Sequence, residues 1–298
     1  MTQIIQTIIL FSTFILALNS CTTDKIIVQE NKADYDVTAY IKKLDSIGLD
    51  TNNDTLLFEV GYQTIHHGKN DKGNALIEYA LSKRDTITDN DYHAWSVQNT
   101  KNGNYIIAIE KLEKAMKINP REESAYYGWL LLYYYRDYEK ALAIIKQHDA
   151  YTPNFSDAPM GEDVHYLKGL CQMQLNNYGE AVDEFNIYIN NLAVTHGENF
   201  VDVYTFVQKG RCLTRLGKFE EAIDSFKKAI KYYEDCTEAY YFMGLTQLEM
   251  NKKTLACVNF NIALNMIKKG YKSSDTYIEY FHEIYPQQIE KSIIKSCK

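Results

Sequence analysis

The sequence is poor in proline and carries no excess of positive charge. Of its 298 residues only 4 are Pro and 14 are Gly, fewer than a collagen-like or low-complexity chain contains. Asp and Glu number 39 against 32 Lys and Arg, so the formal net charge is −7 and the broad positive field that a phosphate backbone requires is missing. The composition therefore predicts a folded globular chain, and nucleic acid is not expected as a partner.

The cysteines lack the spacing of a metal site. None of the 6 lies in a C-x-x-C pair or beside a cluster of histidines, which disfavours zinc. Twelve Phe, 2 Trp and 25 Tyr supply enough apolar surface for a packed interior, so disulfides are not needed to hold the fold together. Cys171 and Cys212 occupy equivalent points of two repeats, which favours small buried packing residues over a bridge.

The amino terminus has no charged side chain before residue 19. Residues 4–18 are apolar apart from four polar positions, and a run of this length is typical of a secretory signal peptide and short for a membrane span. The next residues, Leu18-Asn19-Ser20-Cys21, resemble the lipobox of bacterial lipoproteins, whose cysteine becomes the acylated first residue. This resemblance implies a signal peptide over residues 1–20, acylation of Cys21, and a polar tether over residues 21–34.

Membrane attachment is then expected through the lipid alone, since no second long apolar run follows. The segment before the apolar run contains no Lys or Arg, which departs from the lipoprotein pattern. A first helix buried in the fold is the alternative interpretation of this segment.

From residue 55 onward, apolar residues recur with the period of an α-helix, and the pattern also repeats on a longer scale. One set of small and aromatic residues recurs after 34 residues, since Gly210, Ala222, Phe226 and Ala229 reappear as Gly244, Ala256, Phe260 and Ala263. The set Gly169, Ala181 and Phe185 has the same internal spacing. Small residues at these positions let two helix backbones approach closely.

These spacings resemble the tetratricopeptide repeat, a 34-residue helix–turn–helix unit with a W-x-x-L-G-x-x-Y pattern followed by A-x-x-x-F. An earlier unit adds Trp95, Ala108 and Pro120. The resemblance implies an all-α fold, a right-handed superhelical solenoid of about six repeats over residues 55–270. Such a solenoid binds partners in its concave groove, although the fold itself does not name the partner.

Helices outside the repeats are expected to cap the solenoid. Residues 35–54 predict a leading helix. Residues 271–298 predict capping helices, one over 277–285 and one over 287–294, separated by Pro286. Two long steps between repeats predict inserted loops at residues 152–162 and 190–202.

The fifth repeat offers the sharpest candidate for a binding surface. In its first helix the packing stripe leaves Tyr204, Arg211 and Arg215 on the opposite side, which lines the concave groove in this family. Tyr166 and Tyr241 lie on the equivalent side of neighbouring repeats. An aromatic groove with two arginines suits a protein segment bearing a carboxylate. The alternative is that both arginines pair with carboxylates of the next repeat, at Glu238 or Glu249.

Six tyrosines crowd the third repeat and could form an aromatic cradle for a peptide or glycan. Packing between helices is the favoured interpretation, with the hydroxyls reaching solvent or a carbonyl. The residues are Tyr126, Tyr127, Tyr133, Tyr134, Tyr135 and Tyr138.

No motif of a catalytic or metal site occurs in the sequence. His66 and His67 are neighbours, and consecutive residues of a helix point about 100° apart, so they cannot hold one ion from one face. Phosphate loops, nucleophile elbows and H-E-x-x-H motifs are missing. The sequence therefore predicts no enzyme, no cofactor and no metal, whereas a cluster of acidic side chains with raised pKa would favour an enzyme.

Together these features predict a lipid-anchored interaction scaffold of the bacterial cell envelope, facing the periplasm or the outside, that binds an unidentified protein partner in its groove. One alternative is a soluble intracellular adaptor of the same fold in the cytoplasm. Another is a glycan- or peptide-binding component of an envelope uptake complex.

Overall fold

The computed structural model describes residues 36–297. The predicted signal peptide, Cys21 and the whole of the predicted tether lie outside the described residues. Within the described range the regular structure is helical, and its fourteen α-helices are α1 Val37–Ser46, α2 Asp54–His66, α3 Asn70–Leu81, α4 Asp89–Lys101, α5 Tyr105–Ile118, α6 Pro120–Leu130, α7 Tyr138–Asp149, α8 Val164–Gln174, α9 Tyr178–Thr195, α10 Val203–Arg215, α11 Phe219–Tyr232, α12 Thr237–Glu249, α13 Lys253–Lys268 and α14 Pro286–Ser296.

Helices α2 to α13 form six pairs, and each helix packs most extensively on its pair partner. From the second pair onward, the second helix of a pair also contacts the first helix of the next pair, and at the first junction Asn74 of α3 is hydrogen-bonded to Asn99 of α4. The pairs therefore stack one on another along the chain. First helices of successive pairs touch as well, as α2 and α4 or α10 and α12 do. The molecule is a solenoid of helix pairs, and its first helices form one continuous face, which we call the inner face.

A residue in the left-handed region of backbone space turns the chain inside every pair. Gly and Asn adopt this conformation at the least steric cost. Arg136 is the exception, and an ordinary side chain in this conformation needs compensating contacts nearby. The six residues are Gly68 (φ 75°), Gly103 (φ 75°), Arg136 (φ 55°), Asn176 (φ 64°), Gly217 (φ 73°) and Asn251 (φ 59°).

The repeated Gly and Phe positions set the distance between paired helices. A Cβ atom added to Gly210 would lie 2.6 Å from the ring of Phe226, which is fully buried. Gly169 meets Phe185 and Gly244 meets Phe260 in the same way, at 2.5 and 2.6 Å. Only glycine fits at these crossings, because the ring fills the space that a side chain would take.

The two predicted insertions differ in structure. Residues 152–162 contain turns and a single 3-10 turn, Pro159–Gly161, and no α-helix. In residues 190–202 the expectation of a loop is only partly right, because α9 continues to Thr195. The six helical residues 190–195 account for part of that insertion, and a short 3-10 turn, Glu198–Phe200, lies in the rest.

The carboxyl terminus corrects a prediction. One capping helix is present, α14, with Pro286 at its first position, where the missing backbone N–H is not needed. The other predicted capping helix, residues 277–285, does not form, and this segment is irregular with a turn. Its backbone carbonyls are bonded by side chains of the solenoid instead, which replaces the hydrogen bonds that a helix would supply.

A disulfide that the composition did not require joins Cys257 of α13 to Cys297 at the end of α14. Their separation of 40 residues places them in no recognisable motif, so the sequence alone does not reveal the pair. Cys171 and Cys212 are buried free thiols, and burial raises the pKa of each to about 12. The disulfide ties the last helix to the last pair.

Candidate functional site

Residues 272–285, which we call the strap, link α13 to α14 and lie against the inner face. The strap touches the sixth pair at Glu238, whose Oε1 accepts a hydrogen bond of 2.7 Å from the backbone N–H of Ser273. Farther along, Phe281 packs 5.5 Å from the ring of Tyr133, in the π-helical turn Leu131–Tyr135 that continues α6 in the third pair. Residues 274–277 of the strap are exposed.

Two arginines of the solenoid hold the strap by its backbone. Arg136 donates through Nη2 to the carbonyl of Glu279 at 3.0 Å, and Arg211 donates through Nη1 to the carbonyl of Phe281. The Arg136 guanidinium also lies 4.5 Å from the centre of the Phe281 ring. These contacts compensate the left-handed backbone of Arg136. They fix a turn in which the N–H of Glu283 donates to the carbonyl of Tyr280 at 3.0 Å.

A directed chain of hydrogen bonds runs from Arg211 to His282. Arg211 Nη1 donates to Gln208 Oε1 at 2.7 Å, so the amide Nε2 of Gln208 faces His282 Nδ1 at 3.2 Å and donates to it. His282 Nε2 then carries the proton and donates to Ser273 Oγ at 2.9 Å. This series of hydrogen bonds requires that the imidazole of His282 be neutral. Burial, with the nearby charge of Arg211, lowers the pKa of His282 to about 3.

Aromatic rings enclose the same imidazole. The rings of Tyr204 and His282 are stacked with their centroids 4.0 Å apart. The ring of Tyr280 also stacks on His282, with a centroid distance of 5.1 Å. His282 retains 3% of its surface exposure. The turn of the strap is therefore inserted into the inner face, and its residues Phe281 and His282 occupy two separate sites there.

Beside the strap the inner face keeps an open pocket of about 380 Å³, between α8, α10 and α12. Arg211 and Arg215 line it with Tyr178, Phe242 and Glu249. The two guanidinium groups lie over aromatic rings, Arg211 4.5 Å from Phe242 and Arg215 5.4 Å from Tyr178. A pocket of this size with convergent polar groups suits a small ligand or the end of a chain.

Neither arginine of this pocket forms an ion pair with any residue in the described part of the chain. The alternative pairing with Glu238 or Glu249 is therefore absent here. Burial lowers the pKa of Arg211, which shows that its charge is poorly solvated. A guanidinium in this state favours an anionic ligand.

Family models match two parts of the chain. One, described as anaphase-promoting complex, cyclosome, subunit 3, matches residues 101–186. The other, described as tetratricopeptide repeat, matches residues 203–236, the fifth helix pair with its Gly210 and Phe226. The chain is a tetratricopeptide repeat protein. Among curated proteins, no sequence is similar enough to count as a match.

Solved structures share the fold of this tetratricopeptide repeat protein. One from Parabacteroides merdae ATCC 43184 is 16% identical and covers 88% of this chain and 90% of its own, with a TM-score of 0.52. A MamA chain from Desulfovibrio magneticus RS-1 is 16% identical over 61% of this chain and 96% of its own, with a TM-score of 0.51. A chain of the APC/C hetero-tetramer Cut9-Hcn1 is 10% identical and covers 90% of this chain and 47% of its own, with a TM-score of 0.52. At these identities the similarity concerns the fold.

The predicted binding residues of the tetratricopeptide repeats differ in their surroundings. Tyr166 and Tyr241 retain only 5% and 8% exposure, so they pack inside the solenoid and do not line an open groove as expected. Tyr204 stacks on the strap and Arg211 binds its backbone. Arg215 alone among the five is exposed to solvent. Whether these residues bind a partner stays a prediction.

Sequence reasoning missed Arg136, Gln208 and His282, the other groups that hold or form the strap turn. No local motif marks them, because they meet only after the strap folds back on the repeats. The crowded tyrosines gave a partial signal, since Tyr133 and Tyr138 of that group pack against Phe281, with ring centroids 5.5 and 6.1 Å away. Of these two, Tyr133 is buried, as the packing interpretation predicted.

Three carboxyl groups near the strap have pKa values raised by burial: those of Glu162, Asp202 and Glu238. Each has an identified hydrogen-bond donor. Glu162 accepts from Trp129 Nε1 at 2.9 Å and from the hydroxyl of Tyr133 at 2.8 Å, while Asp202 caps α10 by accepting from the N–H of Tyr204 at 2.9 Å. Glu162 therefore holds two aromatic side chains of the third pair, Asp202 holds the start of α10, and Glu238 holds the strap.

No group of three or more His, Cys, Asp or Glu side chains in residues 36–297 is arranged to hold a metal ion. No helix of the described chain has the length and hydrophobicity that crossing a bilayer demands. Tetratricopeptide repeats are generally an interaction fold, and fold alone assigns no chemistry.

Proposed function

We propose that this protein is a non-enzymatic scaffold whose inner face binds a segment of a partner protein. The observation that carries the proposal is the pocket of about 380 Å³ lined by Arg211 and Arg215, two cations without a carboxylate partner in the described chain. A carboxylate of the partner, at its chain terminus or on an acidic side chain, would supply the missing anion. Phe242 and Tyr178 would contact the apolar part of the same segment.

The stacked repeats favour binding by holding the pocket open in advance. Its lining comes from three helix pairs that are fixed by buried Gly–Phe contacts, so the pocket loses little conformational freedom when a ligand enters. The partner segment alone is ordered on binding. Affinity then depends on the aromatic contacts and on charge-assisted hydrogen bonds to the arginines.

Selection from a random peptide library with free carboxyl termini tests this proposal. We expect the selected peptides to bind the full chain, and Arg215→Ala to weaken them by about 10-fold or more, since hydrogen bonds to charged groups contribute about 1.5–3 kcal/mol. Lys227→Ala is the matched control, because Lys227 lies exposed on α11 away from the pocket. Unchanged binding by the Arg215 variant would refute the carboxylate site.

We also propose that the protein is a lipid-anchored component of the bacterial cell envelope, supported by Leu18-Asn19-Ser20-Cys21. Acyl chains on Cys21 would retain the domain at the membrane, with the polar residues after it as a tether. The intact mass of the membrane-extracted protein tests the anchor. We expect a chain beginning at Cys21 with added acyl mass, and loss of membrane retention in Cys21→Ala. A soluble chain retaining Met1 would support the intracellular adaptor instead.

A further inference from the structure

The strap behaves as a ligand of the inner face, although it belongs to the same chain. Between Lys268 and Pro286 the chain runs without any α-helix. Connections this long and irregular are uncommon in compact folds and are usually functional, as lids or binding loops are. Both flanking helices pack on each other and are joined by the disulfide, so the strap can leave without unfolding the solenoid.

Its contacts are those that hold bound peptides. Two arginine side chains bond to backbone carbonyls, and one aromatic residue, Phe281, fills a site made by Tyr133, Tyr138 and Arg136. Backbone carbonyls are common to all residues, so the arginines can hold any segment of similar shape. Only the aromatic site and the site of His282 select side chains.

The His282 site also defines which side chains are rejected. Arg211 adjoins it, and Gln208 presents an N–H donor to it, so the site takes a hydrogen-bond acceptor and disfavours a cation. Tyr204 adds a flat apolar surface. A suitable segment therefore carries an aromatic residue followed by a side chain that accepts a hydrogen bond.

We propose that the strap is a resident, displaceable ligand of the inner face, and that a partner segment with this aromatic–polar pair binds in its place. The proposal rests on the proposed scaffold function and names the chemistry of its partner. The apparent dissociation constant of the partner is then the intrinsic constant divided by the fraction of molecules whose strap is open. Opening the strap strengthens partner binding, and closing it weakens partner binding.

A fluorescent peptide with the sequence of residues 276–285 is the probe. We expect weak binding to the wild-type chain and binding about 10- to 100-fold tighter to a Phe281→Ala/His282→Ser chain, whose strap no longer fits. Tyr277→Ala is the matched control, since Tyr277 is 62% exposed, and it should behave as wild type. Adding Arg136→Gln to the double variant should abolish the gain.

A cut strap provides a second test that leaves the folded solenoid intact. A protease site placed within exposed residues 274–277 allows cleavage after folding, and the disulfide retains α14 on the molecule. Cleavage should raise probe binding as the double variant does. Equal binding before and after cleavage would overturn the proposal, as would a dimer formed by exchange of straps between two copies.

The outcomes separate this inference from the proposed function. If library peptides bind through Arg215 while neither cleavage nor the double variant changes probe binding, the strap proposal alone fails. If neither the cut protein nor the wild type binds any peptide, the scaffold function fails as well.

Discussion

Replacing Phe226 by Ala should lower the free energy of unfolding by about 3–5 kcal/mol, the usual range for removing a fully buried aromatic ring. The ring is 0% exposed and fills the crossing of α10 and α11 beneath Gly210. Its loss leaves a cavity that the backbone cannot close, because Gly210 has no side chain to move into it. Denaturant unfolding followed by circular dichroism measures the change.

Phe200→Ala is the matched control for this substitution. Phe200 is 62% exposed in a 3-10 turn, so its truncation should change stability by no more than about 0.5 kcal/mol. A loss below about 1 kcal/mol for Phe226→Ala would show that the Gly–Phe crossing does not hold the pair together.

Acidification should release the strap. The folded pKa of His282 is about 3, below the unfolded value of 6.5, so the neutral ring contributes stability above pH 6.5 that is lost as the pH falls toward 3. At pH 4.5 the closed strap should lose about 2–3 kcal/mol relative to pH 7. Protonation of Nδ1 would place two N–H donors face to face at Gln208.

Other groups around the imidazole oppose this effect. The pKa of Glu238 is raised by burial, and the pKa values of Glu162 and Asp202 are raised in the same way, so these groups favour the folded state as the pH falls. Other charged or titratable groups near the turn include Arg136, Arg211, Tyr204, Tyr280, Lys272 and Glu283. A variant without the imidazole is therefore required.

His282→Asn supplies that comparison, because the amide can still accept the hydrogen bond from Gln208 and does not titrate. The readout is the strap peptide with Asn at the position of His282, so that the probe does not titrate there either. Probe binding to the wild-type chain should increase between pH 7 and pH 4.5, and that increase should be missing in His282→Asn. The same rise in both proteins would assign the effect to the carboxyl groups.

The repeats were predictable because their determinants are local and periodic. Gly210 and Phe226 lie within one helix pair, and the same spacing recurs at Gly244 and Phe260. A crossing of two helices needs a small residue against a large one, and this requirement is visible in the sequence. Helix order and the position of the fifth pair follow from it.

The conformation of the strap was not predictable, because its determinants are not local. Residues 277–285 carry apolar side chains at helical spacing, and this local pattern favours a helix. Contacts with Arg136 and Arg211, far away in sequence, override that propensity. The helical phase contains no information on what covers a given side of a helix, so it did not reveal that Tyr166 and Tyr241 are buried.

Because the strap is attached at both ends, any competing segment must overcome its high effective concentration at the inner face. A segment tethered by a short connection meets its site at an effective concentration in the millimolar range. A free partner at micromolar concentration must therefore bind about a thousand times more tightly than the strap does, or must itself be held close by. Co-localisation on one membrane surface would satisfy the second condition, so anchoring and strap displacement would reinforce each other.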